Sequence, residues 1–181
     1  MISLDGVVVT PLKPHRDHRG VFTEAFRAQW PTGIVPVQWN VVASNPNVMR
    51  GFHVHVTHAD YLLVFSGSLL LGLKDMRTAS PTFGHVEMTT LKPDAPAAIM
   101  IPPGVGHGFY FMEQSLHLYS VSEYWDLADE FACKWNDPDI GLEWPTKNPL
   151  LSERDTNACS FAEMAESYRL AIARKENPRS S

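Results

Sequence analysis

The sequence predicts an all-β body, an antiparallel sandwich or barrel closed by one C-terminal helix, and three observations carry that reading. Short apolar or alternating runs rich in Val, Tyr, Phe and Thr recur about every 8–12 residues, the spacing of antiparallel strands rather than of alternating βα units. The 14 prolines cluster where chain reversals are wanted, in "PTGIVP", "KPDAPAA" and "IPPG", and proline is excluded from central strand positions. One helical periodicity stands apart, at the C-terminal end.

The runs follow in order: "GVVVT", "GVFTEAF", "VQWNVVAS", "YLLVFSGSLLLGLKDM", "HVEMTTL", "AAIMIPPG", "HGFYFM" and "LHLYSVSEYW". Turn residues separate them, and no repeat or low-complexity segment interrupts them. In "SFAEMAESYRLAIARK", Ser160 and Glu163 have capping-box spacing, and Phe161, Met164, Ala165, Tyr168 and Ile172 fall on one helical face. A helix over 159–176 is therefore expected to pack on a β body of residues 1–158, with Arg174 and Lys175 near its negative end. Residues 177–181 read as a frayed tail.

With 181 residues, 44% of them hydrophobic, the chain can bury one substantial core and has little room for a second domain. Its net charge of −5 and the absence of a basic block exclude the electrostatic footprint of a nucleic-acid or anionic-membrane binder. Cys133 and Cys159 lack metal-type spacing and read as ordinary buried or half-buried thiols of a reducing compartment. The N-terminus lacks a charged start followed by a long apolar run, and no stretch approaches the roughly 18 apolar residues of a membrane span. The expected location is the cytoplasm and the expected partner a small molecule.

Two histidine motifs carry the chemistry. "HVHVTHADYLLVFSG" has a His-x-His pair, Asp60 five positions after its second histidine, and Gly67 seven further on; "PPGVGHGF" reads Pro-x-Gly-x-x-His from Pro102 to His107. Together they resemble the two motifs of the cupin superfamily, with Asp60 where a glutamate is usual. Strand alternation puts His53 and His55 on one face, so His53, His55, Asp60 and His107 are a candidate three-nitrogen, one-oxygen set for a divalent transition metal. The same alternation equally suits a polar sugar pocket, and the plainer reading gives His55 and His58 a structural or solvent-facing role.

A second resemblance covers most of the chain. "DHRGVFTEAF", "VQWNVVAS", "VMRGFH", "KDMRTASPTFG", "IPPGVGHGF", "LYSVSEYW", "EFACKWNDPDIGLEWP" and "LLSERD" are similar, in order, to eight blocks of the dTDP-4-dehydrorhamnose 3,5-epimerase family. That resemblance implies a cupin-type jelly roll or β-sandwich with short flanking helices and the C-terminal helix, and a homodimer. It also implies epimerisation of a nucleotide-linked 4-keto-6-deoxyhexose, with dTDP the expected carrier, in deoxysugar biosynthesis, with no metal or other cofactor.

The resemblance further implies roles. His53 is the base, an imidazole suited to proton abstraction near neutral pH; Asp155 orients its ring; Tyr119 is the proton donor across the sugar, protonated at neutral pH as phenols are. Arg19, Phe22, Glu24, Gln38, Asn40, Arg50, His107, Trp125, Glu130 and Arg154 match positions that bind substrate. Arg50 suits a diphosphate because a guanidinium binds phosphate oxygens in a fork. Arg154 stands where a lysine is usual, and Trp125 where a base-stacking tyrosine is usual.

One departure bears on mechanism. The family carries a pocket lysine after the histidine loop to stabilise charge on the sugar's C4 oxygen, whereas "VTHADYLLV" is about two residues shorter and offers Asp60 or Tyr61. An ionised carboxylate would repel the developing enolate. Three explanations follow: an epimerase with altered substrate or a single inverted carbon, with His55 or His58 supplying the lost donor; a sugar-nucleotide binder without activity; or a metal recruited by Asp60 and His55. The first is favoured, because His53, Tyr119 and Asp155 all survive.

Overall fold

A computed structural model describes residues 2–176; the expected tail at 177–181 lies outside them. Twelve strands account for the body: β1 (Val8–Pro11), β2 (Pro14–Asp17), β3 (Gly20–Thr23), β4 (Gln38–Ser44), β5 (Val48–Val54), β6 (Asp60–Ser66), β7 (Leu69–Asp75), β8 (Val86–Leu91), β9 (Ala97–Ile101), β10 (Val105–Phe111), β11 (Ser115–Val121) and β12 (Phe131–Ala132). Helices α1 (Glu153–Thr156) and α2 (Phe161–Glu176) follow. One five-stranded sheet runs β1-β9-β6-β11-β4, a second runs β12-β5-β10-β7-β8, and β2 and β3 form a separate hairpin. The expected all-β sandwich with short flanking helices and a C-terminal helix is what the chain adopts.

Period-two alternation sorts each strand between layers. Leu62 and Val64 of β6 face Leu69, Leu71 and Leu73 of β7 and Phe111 of β10 between the sheets, while Tyr61 and Leu63 point to the outer face of the first sheet. There they pack under Leu12, Ile34, Phe26 and Trp30 from the segment that wraps the sheet. The core between the sheets fills one end of the sandwich. Polar inward residues hold the other end open.

Helix α2 covers the outer face of the second sheet. Met164 and Tyr168 are buried with Phe52, Val54, Met76 and Ile140, and Phe161, Ala165 and Ile172 pack beside them, as the periodicity predicts. The capping box forms: Ser160 Oγ accepts from the Glu163 amide at 3.3 Å, and Glu163 Oε2 accepts from the Ser160 amide at 2.9 Å. Cys133 is buried, but Cys159, which pairs with it in an isolated parallel bridge just before the cap, is exposed. No helix of the described residues is long and apolar enough to cross a membrane.

The turn after β7 is tied by a buried carboxylate. Asp75 is fully buried and takes a two-pronged ion pair from Arg77 at 2.9 and 2.7 Å, plus the Ser80 and Thr82 hydroxyls. Burial alone would raise its pKa, but the hydrogen bonds from Arg77, Ser80 and Thr82 outweigh burial and hold it well below the usual carboxylate range. Removing one partner of a buried pair leaves the other uncompensated, so Asp75→Ala is expected to cost about 3 kcal/mol in urea unfolding at pH 7. Since the folded pKa lies below the unfolded value, this stabilisation is complete above the unfolded pKa and fades as pH falls toward the folded one. The variant's stability should therefore change less than the wild type's over that acid window. A parallel acid limb would show that Asp75 is not the linked group.

Candidate active site

At the open end, between the sheets, lies a cavity of about 370 Å³ whose walls come from both. His53 rises from β5 in the second sheet and sits opposite His107 of β10 in the ladder. Gly51 makes that pairing possible: its φ is +103°, and a Cβ there would stand 2.8 Å from the His107 carbonyl oxygen. The ladder shifts between His107 and Phe109 at this point, and a bulge of this kind re-aims side chains.

His53 Nε2 lies 3.0 Å from Asp155 Oδ1. Helix α1 delivers that carboxylate: Ser152 caps the helix by accepting from the Asp155 amide, and its hydroxyl donates to Asp155 Oδ2 at 2.8 Å. Burial would push Asp155 up, yet the bonds from His53 and Ser152 lower its pKa, so it stays a carboxylate. The Arg154 guanidinium approaches the same ring nitrogen at 2.9 Å and binds Glu130 Oε2 at 2.7 Å. Asp155 and Arg154 make opposite demands on this atom, since an ionised carboxylate accepts its proton and a guanidinium can only donate to it; the tautomer with the proton at Nε2 and the lone pair on Nδ1 goes with Arg154 held by Glu130 instead.

Tyr119 comes from β11, in the opposite sheet, and lines the same cavity. Burial raises its pKa, with Asp60 and Glu130 adding to the effect, so its phenol is a proton donor at neutral pH. His117, two residues earlier on the same face, lies against it with ring centroids 6.2 Å apart. Burial, and then the charge of Arg50, pushes His117 down to about 4.

Asp60, the first residue of β6, faces inward with Leu62, whereas Tyr61 points outward and donates to the Ala25 carbonyl. Of the two residues offered in place of the family's lysine, Asp60 is the one in the cavity. It is buried, and burial pushes it up to about 7. Around its Oδ2 stand His55 Nε2 at 3.7 Å, His107 Nε2 at 3.8 Å and His58 Nε2 at 4.0 Å. His55 and His58 are both buried, which corrects the solvent-facing expectation: their loop folds into the cavity wall, and Asp129 ties it by accepting from the Val56 and Thr57 amides. Burial, with His58 beside it, pushes His55 down to about 3, and burial also lowers His107 well below the usual imidazole range.

Eight expected residues line this one cavity: His53, Tyr119, Asp155, Arg50, His107, Trp125, Glu130 and Arg154. Gln38 and Asn40 adjoin it on β4, where Asn40 pairs with Tyr119 and Gln38 accepts from the Trp125 amide. Arg19, Phe22 and Glu24 do not reach it within the chain. Arg19 pairs with Asp17 and Glu24 with Arg27, and Phe22 lies on the exposed β2-β3 hairpin. His117, Phe109, Leu62, Val121, Val42 and Ser152 also line the cavity and went unselected in the sequence. Counting by two from Tyr119 finds His117 and Val121, and from Asp60 finds Leu62.

The model of the dTDP-4-dehydrorhamnose 3,5-epimerase family matches residues 1–163. The chain belongs to that family. A dTDP-4-dehydrorhamnose 3,5-epimerase of Pseudomonas aeruginosa is 31% identical over 171 residues, covering 90% of this chain and 94% of the relative. A dTDP-4-dehydro-6-deoxyglucose 3-epimerase of Streptomyces bikiniensis is also 31% identical over 171 residues, covering 89% and 87%. Among solved structures, a 3'-monoepimerase of Streptomyces bikiniensis in complex with dTDP-quinovose aligns with a TM-score of 0.82 and 30% identity over 94% of this chain and 90% of that one. An epimerase of Mycobacterium tuberculosis aligns with a TM-score of 0.83 and 26% identity over 96% of each. The family's relatives thus include both double and single epimerases.

Proposed function

We propose that this chain is an isomerase that inverts one or both carbons beside the ketone of a dTDP-linked 4-keto-6-deoxyhexose. The observation that carries the reading is the pairing of His53–Asp155 and Tyr119 on opposite walls of one cavity. A C–H bond next to a ketone is acidic enough for an imidazole to remove its proton, and a phenol on the far side returns one to the other face. Asp155 fixes the ring and stabilises the imidazolium that forms. Arg50 and Arg154 supply charge for the diphosphate, and Trp125 a surface on which the thymine ring stacks.

The hairpin residues Arg19, Phe22 and Glu24 fit the same reading if they enter a partner's cavity. Strand β4 supports a second copy: it is an edge strand whose outer face exposes Trp39 and Val41, with Val35 and Val37 exposed just before it. An apolar, unpaired edge of this kind is normally covered. Sedimentation at the mass of a homodimer is expected, and a monomer would remove those three residues from the site.

Incubation with a dTDP-4-keto-6-deoxyhexose in deuterium oxide tests the reaction. One carbon-bound deuterium in the product identifies a single epimerase and two a double one. Tight binding of the sugar nucleotide without any exchange would reduce the protein to a binder.

A further inference from the structure

The imidazoles around Asp60 are arranged for something the proton transfer does not use. His55 Nδ1 lies 3.2 Å from the Asp129 carbonyl oxygen, and His107 Nδ1 lies 3.3 Å from that of Val105. A backbone carbonyl only accepts, so each ring carries its proton on Nδ1 and its lone pair on Nε2. Both Nε2 atoms turn toward Asp60 Oδ2, at 3.7 and 3.8 Å. Those separations are beyond hydrogen-bond reach, and that oxygen is buried with no hydrogen-bond partner among the described residues. Two lone pairs and a carboxylate oxygen therefore converge on one point, with His58 Nε2 standing 4.0 Å from that oxygen.

We propose that His55, Asp60 and His107 bind one divalent first-row transition-metal ion. Bonds of about 2.0–2.2 Å separate neighbouring donor atoms by roughly 3–3.5 Å; each imidazole nitrogen needs to close on the carboxylate oxygen by only a few tenths of an ångström, and all three atoms already lie within 4.8 Å of one another. Two imidazoles and one carboxylate form a borderline nitrogen and oxygen set that leaves coordination positions open, here toward the cavity. The carbonyls behind both rings are the outer partners that fix a metal-binding tautomer. His53 is outside the set, because neither of its ring nitrogens joins the three donor atoms that lie within 4.8 Å of one another, which corrects the four-residue grouping read from the His-x-His spacing. His58, at 4.0 Å with its Nδ1 on Asp129, stands at the margin.

The ion's role rests on the epimerase reading. Proton removal beside the ketone gathers negative charge on the ketone oxygen, and Asp60 in the wall, a carboxyl that is either neutral or negative, supplies no positive charge to meet it. A divalent ion held there reverses the sign of the local field. It departs from the cofactor-free expectation and fills the place left by the missing lysine.

The test uses the whole protein, stripped with chelator, titrated with zinc by calorimetry and with cobalt by visible absorption. Saturation at one ion per chain is expected, with a raised melting temperature and a cobalt spectrum of nitrogen and oxygen ligands. Asp60→Asn, which keeps the side chain's shape, should weaken binding more than about 100-fold, since even outer partners of a ligand are worth 10–100-fold; its metal-free melting curve reports whether the fold is intact. Absence of saturable binding overturns the site, as does wild-type affinity in a folded Asp60→Asn protein. A thiolate-to-cobalt charge-transfer band, which would place the ion at a cysteine, also overturns it. Deuterium exchange by stripped protein that binds no metal rejects the ion and leaves the epimerase standing. One bound ion, lost in Asp60→Asn, without exchange on any 4-keto sugar nucleotide keeps the site and rejects the epimerase.

Discussion

His53→Asn is expected to lower deuterium exchange into the 4-keto sugar nucleotide by roughly 10²–10⁴-fold, the range a positioned general base supplies. Asparagine occupies similar space and its amide can still donate to Asp155, so the helix α1 segment that carries Ser152, Arg154 and Asp155 keeps its anchor. What disappears is the only atom of that side chain able to take up a proton. Binding of dTDP, measured by calorimetry, should change little, because Arg50, Arg154 and Trp125 remain on the cavity wall. The split matters: lost exchange with retained affinity identifies a group that acts on the reacting atoms, whereas parallel loss of both points to a disturbed pocket. Exchange at the wild-type rate would transfer the base to another residue.

Tyr119→Phe should separate two events that His53→Asn abolishes together. The ring still fills its place beside His117, but no proton can be delivered from the β11 wall. His53 can remove a proton and return deuterium to the same face, so exchange is expected to persist. Formation of the inverted sugar, followed by nuclear magnetic resonance, is expected to fall by about 10²-fold or more. Inversion at the wild-type rate would mean that the donor is not this phenol. Because burial raises the phenol's pKa, its loss of donor capacity with rising pH should begin above that of a free tyrosine.

The legible parts of the fold were those where one residue type repeats at a fixed period. Helix α2 is the clearest case, with its capping box and the buried Met164 and Tyr168 where the 3.6-residue period puts them. Strand β5 is the opposite case. Arg50, Gly51 and His53 break its apolar run, so it reads as a strand only through the family resemblance. Strand β12, two residues long, has no periodicity to read. The segments hardest to see are those that carry the site, because residues chosen for chemistry displace residues chosen for packing.

The sequence by itself determined the fold class and the C-terminal helix, and it singled out His53, Tyr119 and Asp155, which line one cavity, since each rests on local pattern or on motif blocks in a fixed order. Only the tertiary structure decided that Asp60 rather than Tyr61 faces the cavity. The same holds for His53, which turns to a carboxylate 102 residues away instead of joining His55 and His107. The hairpin at Arg19, Phe22 and Glu24 likewise stays clear of its own chain's pocket. Those outcomes depend on which face of a strand is buried and on which distant element packs against it, and neither quantity is a property of any short stretch of chain.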